Sequence, residues 1–368
     1  MRAPCIAGRA TTWWKAHREA ELRVPLVVKD SWQYTERDEE GELLQEATER
    51  GVVNVARYYH HSTVYIRDEI DDVQDNVRGG LDIKTASNYR PEHLGERLAL
   101  SSGTSMASAP YKGQSSGRSG VKRSASQTGA SLPPNKRLYS ASPTKASSSP
   151  LPNRIHRRVV LRDYGKPIYK ASSLPALLAA LKGCVTGHKS LEQAGILHRD
   201  ISVNNIMINE DKENPPWPSF LIDLDLALRE QRVDVSGATG KTGIRAFMAI
   251  GVLLGEKHSF MHDLESFFSV LFWICIHEAP DKGRVVTEFD QWNFGARMML
   301  ATSKKGVISG EVDFVMTAKD YFTEYYQPLI PCVNTLRKAV FPNGRRRAQE
   351  DTVLYDQIKE ILRGAREA

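Results

Sequence analysis

The stretch Gly195–Leu228 limits what this chain can fold into more than any other. Two short apolar runs, Ile206-Met207-Ile208 and Phe220-Leu221-Ile222, flank a polar loop and read as a pair of strands. His198-Arg199-Asp200 precedes the first run, Asn205 follows five residues after that aspartate, and Asp223 closes the second run. A hairpin between the strands would return Asp223 to the 200–205 loop. Phosphoryl transfer needs a carboxylate to orient and accept the proton of a hydroxyl, and two hard oxygen ligands for Mg²⁺. Asp200, Asn205 and Asp223 supply that set. Read singly, the aspartates would cap turns and His198 would be a core histidine, but an ordered set of this kind favours a site.

These residues resemble known machinery. His198-Arg199-Asp200-Ile201 with Asn205 is similar to the catalytic loop of protein kinases, and Asp223-Leu224-Asp225 to their Asp-Phe-Gly segment. More closely, the chain resembles the fungal-type protein-kinase family, a divergent branch of mushroom-forming fungi. That family's wording is similar to the 198–208 run, to Arg245-Ala246-Phe247-Met248-Ala249 and to His262-Asp263-Leu264-Glu265-Ser266-Phe267-Phe268. The resemblance covers most of residues 8–100 and 154–340.

It implies an α+β, two-lobed protein-kinase-like fold, with a small antiparallel-sheet lobe at 1–100 and a helical lobe at 171–368. Residues 154–170 would hold the last strand of the small lobe and the hinge. It also implies ATP and Mg²⁺ as cofactors and a protein substrate, with serine or threonine as the default acceptor. Asp200 would be the catalytic base, Asn205 and Asp223 the metal ligands, and Asp263 the anchor of the catalytic-loop backbone. Lys29 would hold the phosphates, Val27 and Met207 would enclose the adenine, and Gly8 would belong to the phosphate-covering turn. Members of the family usually carry a long segment ahead of this point, so the expectation is a chain that begins late.

The residues themselves support parts of this. Val24-Pro25-Leu26-Val27-Val28-Lys29 is a strand ending in a compact point charge suited to phosphate. Pro25 cannot donate to a ladder and belongs near a strand start or edge. Asp38 to Ala47 follows as an acidic helix with Leu43, Leu44 and Ala47 on one stripe. The family pattern selects Glu40 as the partner of Lys29, with Glu42 its rival. Alternating apolar positions between 52 and 85 suggest two further strands. Leu174 to Ala194 reads as two helical stretches leading into the central motif.

Residues 101–153 are rich in Ser, Thr, Pro, Gly, Lys and Arg, and a segment with so few large apolar residues is expected to be disordered. Lys122-Arg123 with Lys136-Arg137, and Ser142-Pro143, have the form of a nuclear signal and a phosphosite, but solvated linker is the favoured reading. Ser236, Thr239 and Thr242 lie in the candidate activation loop, 229–242, where a phosphate would pair with Arg199, but an ordinary solvated loop is the favoured reading.

At 368 residues and 41% hydrophobic, the chain has ample core. Its net charge of +6 comes without an aromatic-interleaved basic motif, which speaks against nucleic acid as a partner. The four cysteines lack metal spacing and read as free thiols, and no signal peptide or membrane span is expected. The expected location is intracellular, cytoplasmic or nuclear.

Five features depart from an ordinary kinase. Ser202 replaces a lysine, Asp225 stands at the glycine of the Asp-Phe-Gly segment, and Ile244 replaces a threonine that bonds the catalytic aspartate. Gly251 replaces a glutamate that ties down the substrate segment, and no G-x-G-x-x-G series opens the chain. These departures motivate two rivals: a pseudokinase acting as a binding scaffold, and a small-molecule phosphotransferase.

Overall fold

The computed structural model describes residues 11–79, 81, 153–211, 217–230, 244–279 and 283–367, all within one compact unit. Gly8, the 101–152 insertion and Ser236, Thr239 and Thr242 lie outside the described residues. The fold is mixed α and β, mainly helical with small antiparallel sheets, and is consistent with a kinase-like architecture.

Strand β1 (Thr12–Arg18) pairs antiparallel with the long β2 (Glu21–Tyr34). Helix α1 (Glu40–Glu49) follows, then β3 (Tyr58–Thr63) and a two-residue pair, β4 (Tyr65–Ile66) with β5 (Glu69–Ile70). Beyond the insertion, β6 (Arg154–Leu161) enters between β2 and β3, completing a sheet of order β1-β2-β6-β3. The strand carrying Lys29 therefore does not end at the lysine. It runs on to Tyr34 because β6 pairs with Val27 through Tyr34 and keeps it extended. Pro25 sits ahead of that pairing, beside His17 of β1, where one edge needs no donor.

The helical part opens with β7 (Lys166–Pro167) and α2 (Leu174–Gln193). The two helical stretches expected over 174–194 are one continuous helix. Its internal glycines serve close approach: a Cβ at Gly187 would lie 2.4 Å from the carbonyl oxygen of Asn54. The central motif then forms β8 (Ile196–Leu197), β9 (Ile206–Ile208), β10 (Ser219–Leu221) and β11 (Leu228–Arg229). β10 pairs antiparallel with β9, and β11 with β8.

Short α3 (Ile250–Leu254) precedes α4 (Phe260–His277), whose Phe267, Val270, Leu271, Ile274 and Cys275 are all buried. A helix apolar on every side must be enclosed by others. The enclosing elements include α6 (Arg297–Ser309), α7 (Glu311–Tyr321), α8 (Ile330–Val340) and α9 (Val353–Glu367), with the single-turn α5 (Thr287–Asp290) ahead of them. No helix among the described residues is long and apolar enough to cross a membrane.

Candidate active site

Alternation along β2 puts residues 29, 31 and 33 on one face, turned toward α1. Lys29 is fully buried there; its ammonium donates to Glu40 Oε2 at 2.5 Å and to Asp223 Oδ1 at 2.8 Å, and forms an ion pair with Asp225 Oδ2 at 3.3 Å. Glu42, the rival of Glu40, points to solvent. Helix α1 begins at Glu40 rather than at Asp38, so this glutamate occupies the first turn, where exposed N–H groups favour a carboxylate. Its second oxygen accepts the N–H of Leu224 at 3.1 Å. Arg229 secures the helix from the other side, pairing with Asp38 and Glu46 at 2.8 Å each.

Three carboxylates around one ammonium leave a net negative cluster. Burial disfavours the ammonium of Lys29, but the charges of Asp223, Asp225 and Glu40 outweigh that and raise its pKa. Burial, and then the charge of Asp225, push Glu40 well above the usual carboxylate range. Trp13, opposite Lys29 across the β1–β2 ladder, places its ring centre 5.3 Å from the ammonium.

Asp225 stands where the Asp-Phe-Gly segment has its glycine. It does not adopt positive φ; the left-handed residues here are Asp223 and Arg199, at 67° and 68°. Such strain in non-glycine residues costs about 1–3 kcal/mol each and persists where surroundings enforce it. The carboxylate of Asp225 instead turns inward and accepts from Gln33 Nε2 at 2.7 Å. Neither role was read from the sequence. The available signal was Gln33 standing four residues beyond Lys29 on the same strand face.

Asp200 and Asn205 form a second group. Asn205 Nδ2 donates to the carbonyl oxygen of Asp200 at 2.9 Å and to its carboxylate at 3.3 Å. The carbonyl of Asn205 accepts the N–H of Ile222 at 3.1 Å, which sets the loop beside the residue preceding Asp223. His198 joins the same two segments: its Nε2 lies 3.2 Å from the carbonyl of Ile222, and its Nδ1 accepts the N–H of Asp200 at 3.3 Å. A neutral imidazole satisfies both contacts, whereas a second ring proton would face the Asp200 N–H. Burial accordingly lowers the His198 pKa to about 4.

Below the ordinary histidine value of about 6.5, the unfolded chain takes up a proton that the folded one refuses until about 4, so stability falls with pH across that window. Between pH 7 and pH 5 the loss from this residue is about 2 kcal/mol. Denaturant unfolding of wild type and His198→Gln at both pH values checks it; equal losses in the two proteins would refute the assignment.

Asp263 holds the loop from below, accepting the N–H of Arg199 at 3.0 Å while His188 and His258 lie 2.8 and 2.7 Å from its oxygens. It is fully buried, and although burial opposes its charge, His258 and His188 hold its pKa well below the usual range. Ser259, not Asp263, caps helix α4.

Val27 and Met207 line one cavity of about 530 Å³, together with Trp13, Leu161, Tyr164 and Ile222. Asp163 at its edge is clamped by Arg57, whose guanidinium and backbone N–H reach the carboxylate at 2.7–3.2 Å. For a metal, Glu40, Asp223 and Asp225 each offer a carboxylate oxygen, all within 4.8 Å of one another. Asn205 directs its NH₂ at Asp200, which leaves its oxygen as the donor of the hard type Mg²⁺ takes. The donor chemistry therefore fits the cation.

A lysine–glutamate pair beside an aspartate-bearing turn, next to a cavity lined by β1, β2 and β6 on one side and by the β9–β10 hairpin on the other, defines a kinase-like protein. The model of a family described as fungal protein kinase matches residues 1–275, and the chain belongs to that family. No curated protein matches the chain significantly.

Proposed function

We propose that the protein is an ATP- and Mg²⁺-dependent protein kinase that transfers the γ-phosphate to a protein hydroxyl, serine or threonine by default. One observation carries the reading. Two groups from distant parts of the chain, Lys29–Glu40–Asp223 and Asp200–Asn205, adjoin through the single residue Ile222. In this reading the sheet and the helices are the two lobes, and the cavity lined by Val27 and Met207 takes the adenine. Asp223 and the Asn205 oxygen hold the metal, which when bound neutralises charge on the phosphates.

Asp200 orients the acceptor hydroxyl and takes its proton. Lys29 steadies the phosphates. It donates to Glu40 and Asp223, and its longest ion-pair contact, 3.3 Å to Asp225, is the one a phosphate oxygen would replace.

The test is transfer of label from γ-labelled ATP to a general protein acceptor in Mg²⁺, with a chelator control and an Asp200→Asn control. Label that depends on Mg²⁺ and is lost in Asp200→Asn supports the kinase. Equal label in wild type and variant defeats it. A nucleotide-dependent rise in melting temperature without transfer supports a scaffold instead.

A further inference from the structure

In this chain a glutamate is missing at 251, where kinases use one to tie down the segment that seats the protein substrate. A side chain at that position would have to displace the ends of three others. Gly251 is buried at the start of α3, and a Cβ on it would lie 2.3 Å from Glu256 Oε2, 2.3 Å from His262 Nε2 and 3.0 Å from Arg346 Nη1. The outer position is already filled by the ion pair of Glu256 with Arg346 at 2.5 Å, which is half-exposed and worth little by itself.

The buried contacts are of another kind. Glu265, on α4, accepts the backbone N–H of Ile250 at 2.6 Å. Lys304, on α6, donates to the backbone carbonyl of Met248 at 2.7 Å. Both side chains are buried, and each is charge-complementary to the other. Charge-assisted bonds to backbone in such surroundings are roughly twice as strong as neutral ones. A carboxylate and an ammonium, drawn from two separate helices, thus grip the chain two residues apart, next to the position where the usual tie is absent.

We propose that Glu265 and Lys304 form a buried clamp that fixes residues 244–254 as the platform for the acceptor protein, replacing the tie absent at Gly251. Neither residue touches the reacting atoms; both act by positioning. The platform role rests on the kinase reading, whereas the clamp itself does not.

Glu265→Gln, Lys304→Met and the double variant separate the possibilities in the full chain. Hydrogen exchange reads the clamp without any need for transfer. Each single variant should speed exchange of the amides in 244–254 by about ten- to a hundredfold, with the amides of α2 and α9 unchanged. The double variant should recover part of that loss, because it leaves no unpaired buried charge. Unchanged exchange at 244–254, or an equal rise throughout the molecule, overturns the proposal.

In the transfer assay, the single variants should raise KM for the acceptor protein by about tenfold while KM for ATP stays within about twofold. Parallel changes in both constants would mean a merely structural role. If wild type transfers nothing while the exchange result holds, the clamp stands and the kinase reading fails.

Discussion

Replacing Lys29 with methionine is expected to lower the stability of the folded protein by about 3–5 kcal/mol, the cost of leaving buried charges without their partner. The reason lies in the count of charges. Lys29 pairs with Glu40, Asp223 and Asp225 at once, and the side chains of Glu40 and Asp225 are themselves buried. Methionine matches the stem but leaves carboxylates facing one another in a region with little water. Glu40, already raised by burial and by Asp225, then loses the neighbouring ammonium that favours its charged form.

Denaturant unfolding at neutral pH measures the loss. Adding Asp225→Asn to the variant should recover part of it, since one repulsive charge is removed while the oxygen that accepts from Gln33 remains. A Lys29→Met protein as stable as wild type would show that the cluster contributes nothing to the fold. Transfer should fall as well, but stability is the cleaner readout because it requires no substrate.

Asp200→Asn should cut phosphate transfer by about 10²–10⁴-fold, the usual contribution of a positioned acid or base. The fold should survive it. Asn205 Nδ2 donates at 2.9 Å to the backbone carbonyl of Asp200, and the amide oxygen of the variant can still accept from it at the side chain. Nucleotide binding should survive too, since the cavity lined by Val27, Met207 and Ile222 does not include Asp200. The result to look for is a lost rate beside an intact Mg²⁺-ATP-dependent shift in melting temperature. Retention of the rate would remove Asp200 from the role of base. Loss of both rate and shift would mean that the loop, and not one proton acceptor, had been damaged.

Parts of the site were legible because their members are near in sequence or follow a fixed period. Asp200 and Asn205 share one short loop, and the strand signals of 206–208 and 220–222 bring Asp223 back beside it. Glu40 needed more: the sequence offered Glu40 and Glu42, and only the observed start of α1 turns the first inward and the second to water. Asp225 was legible as a departure from glycine, but not as a carboxylate bonded to Gln33, 192 residues away. Glu265 was legible as part of a family motif without a task, and nothing in the spacing joined it to Ile250 or both to Lys304.

The amino-acid order alone determined the local conformations, the mixed α and β class and the residue types able to perform phosphate chemistry, because hydrophobic period and turn chemistry act over a few residues. Folding in three dimensions decided which charges meet. Whether a buried carboxylate is tolerated depends on the ammonium or N–H that packing brings within about 3 Å, and those partners arrive from other helices and strands. Lys29 among three acids, and Met248 and Ile250 held between Lys304 and Glu265, are products of that convergence.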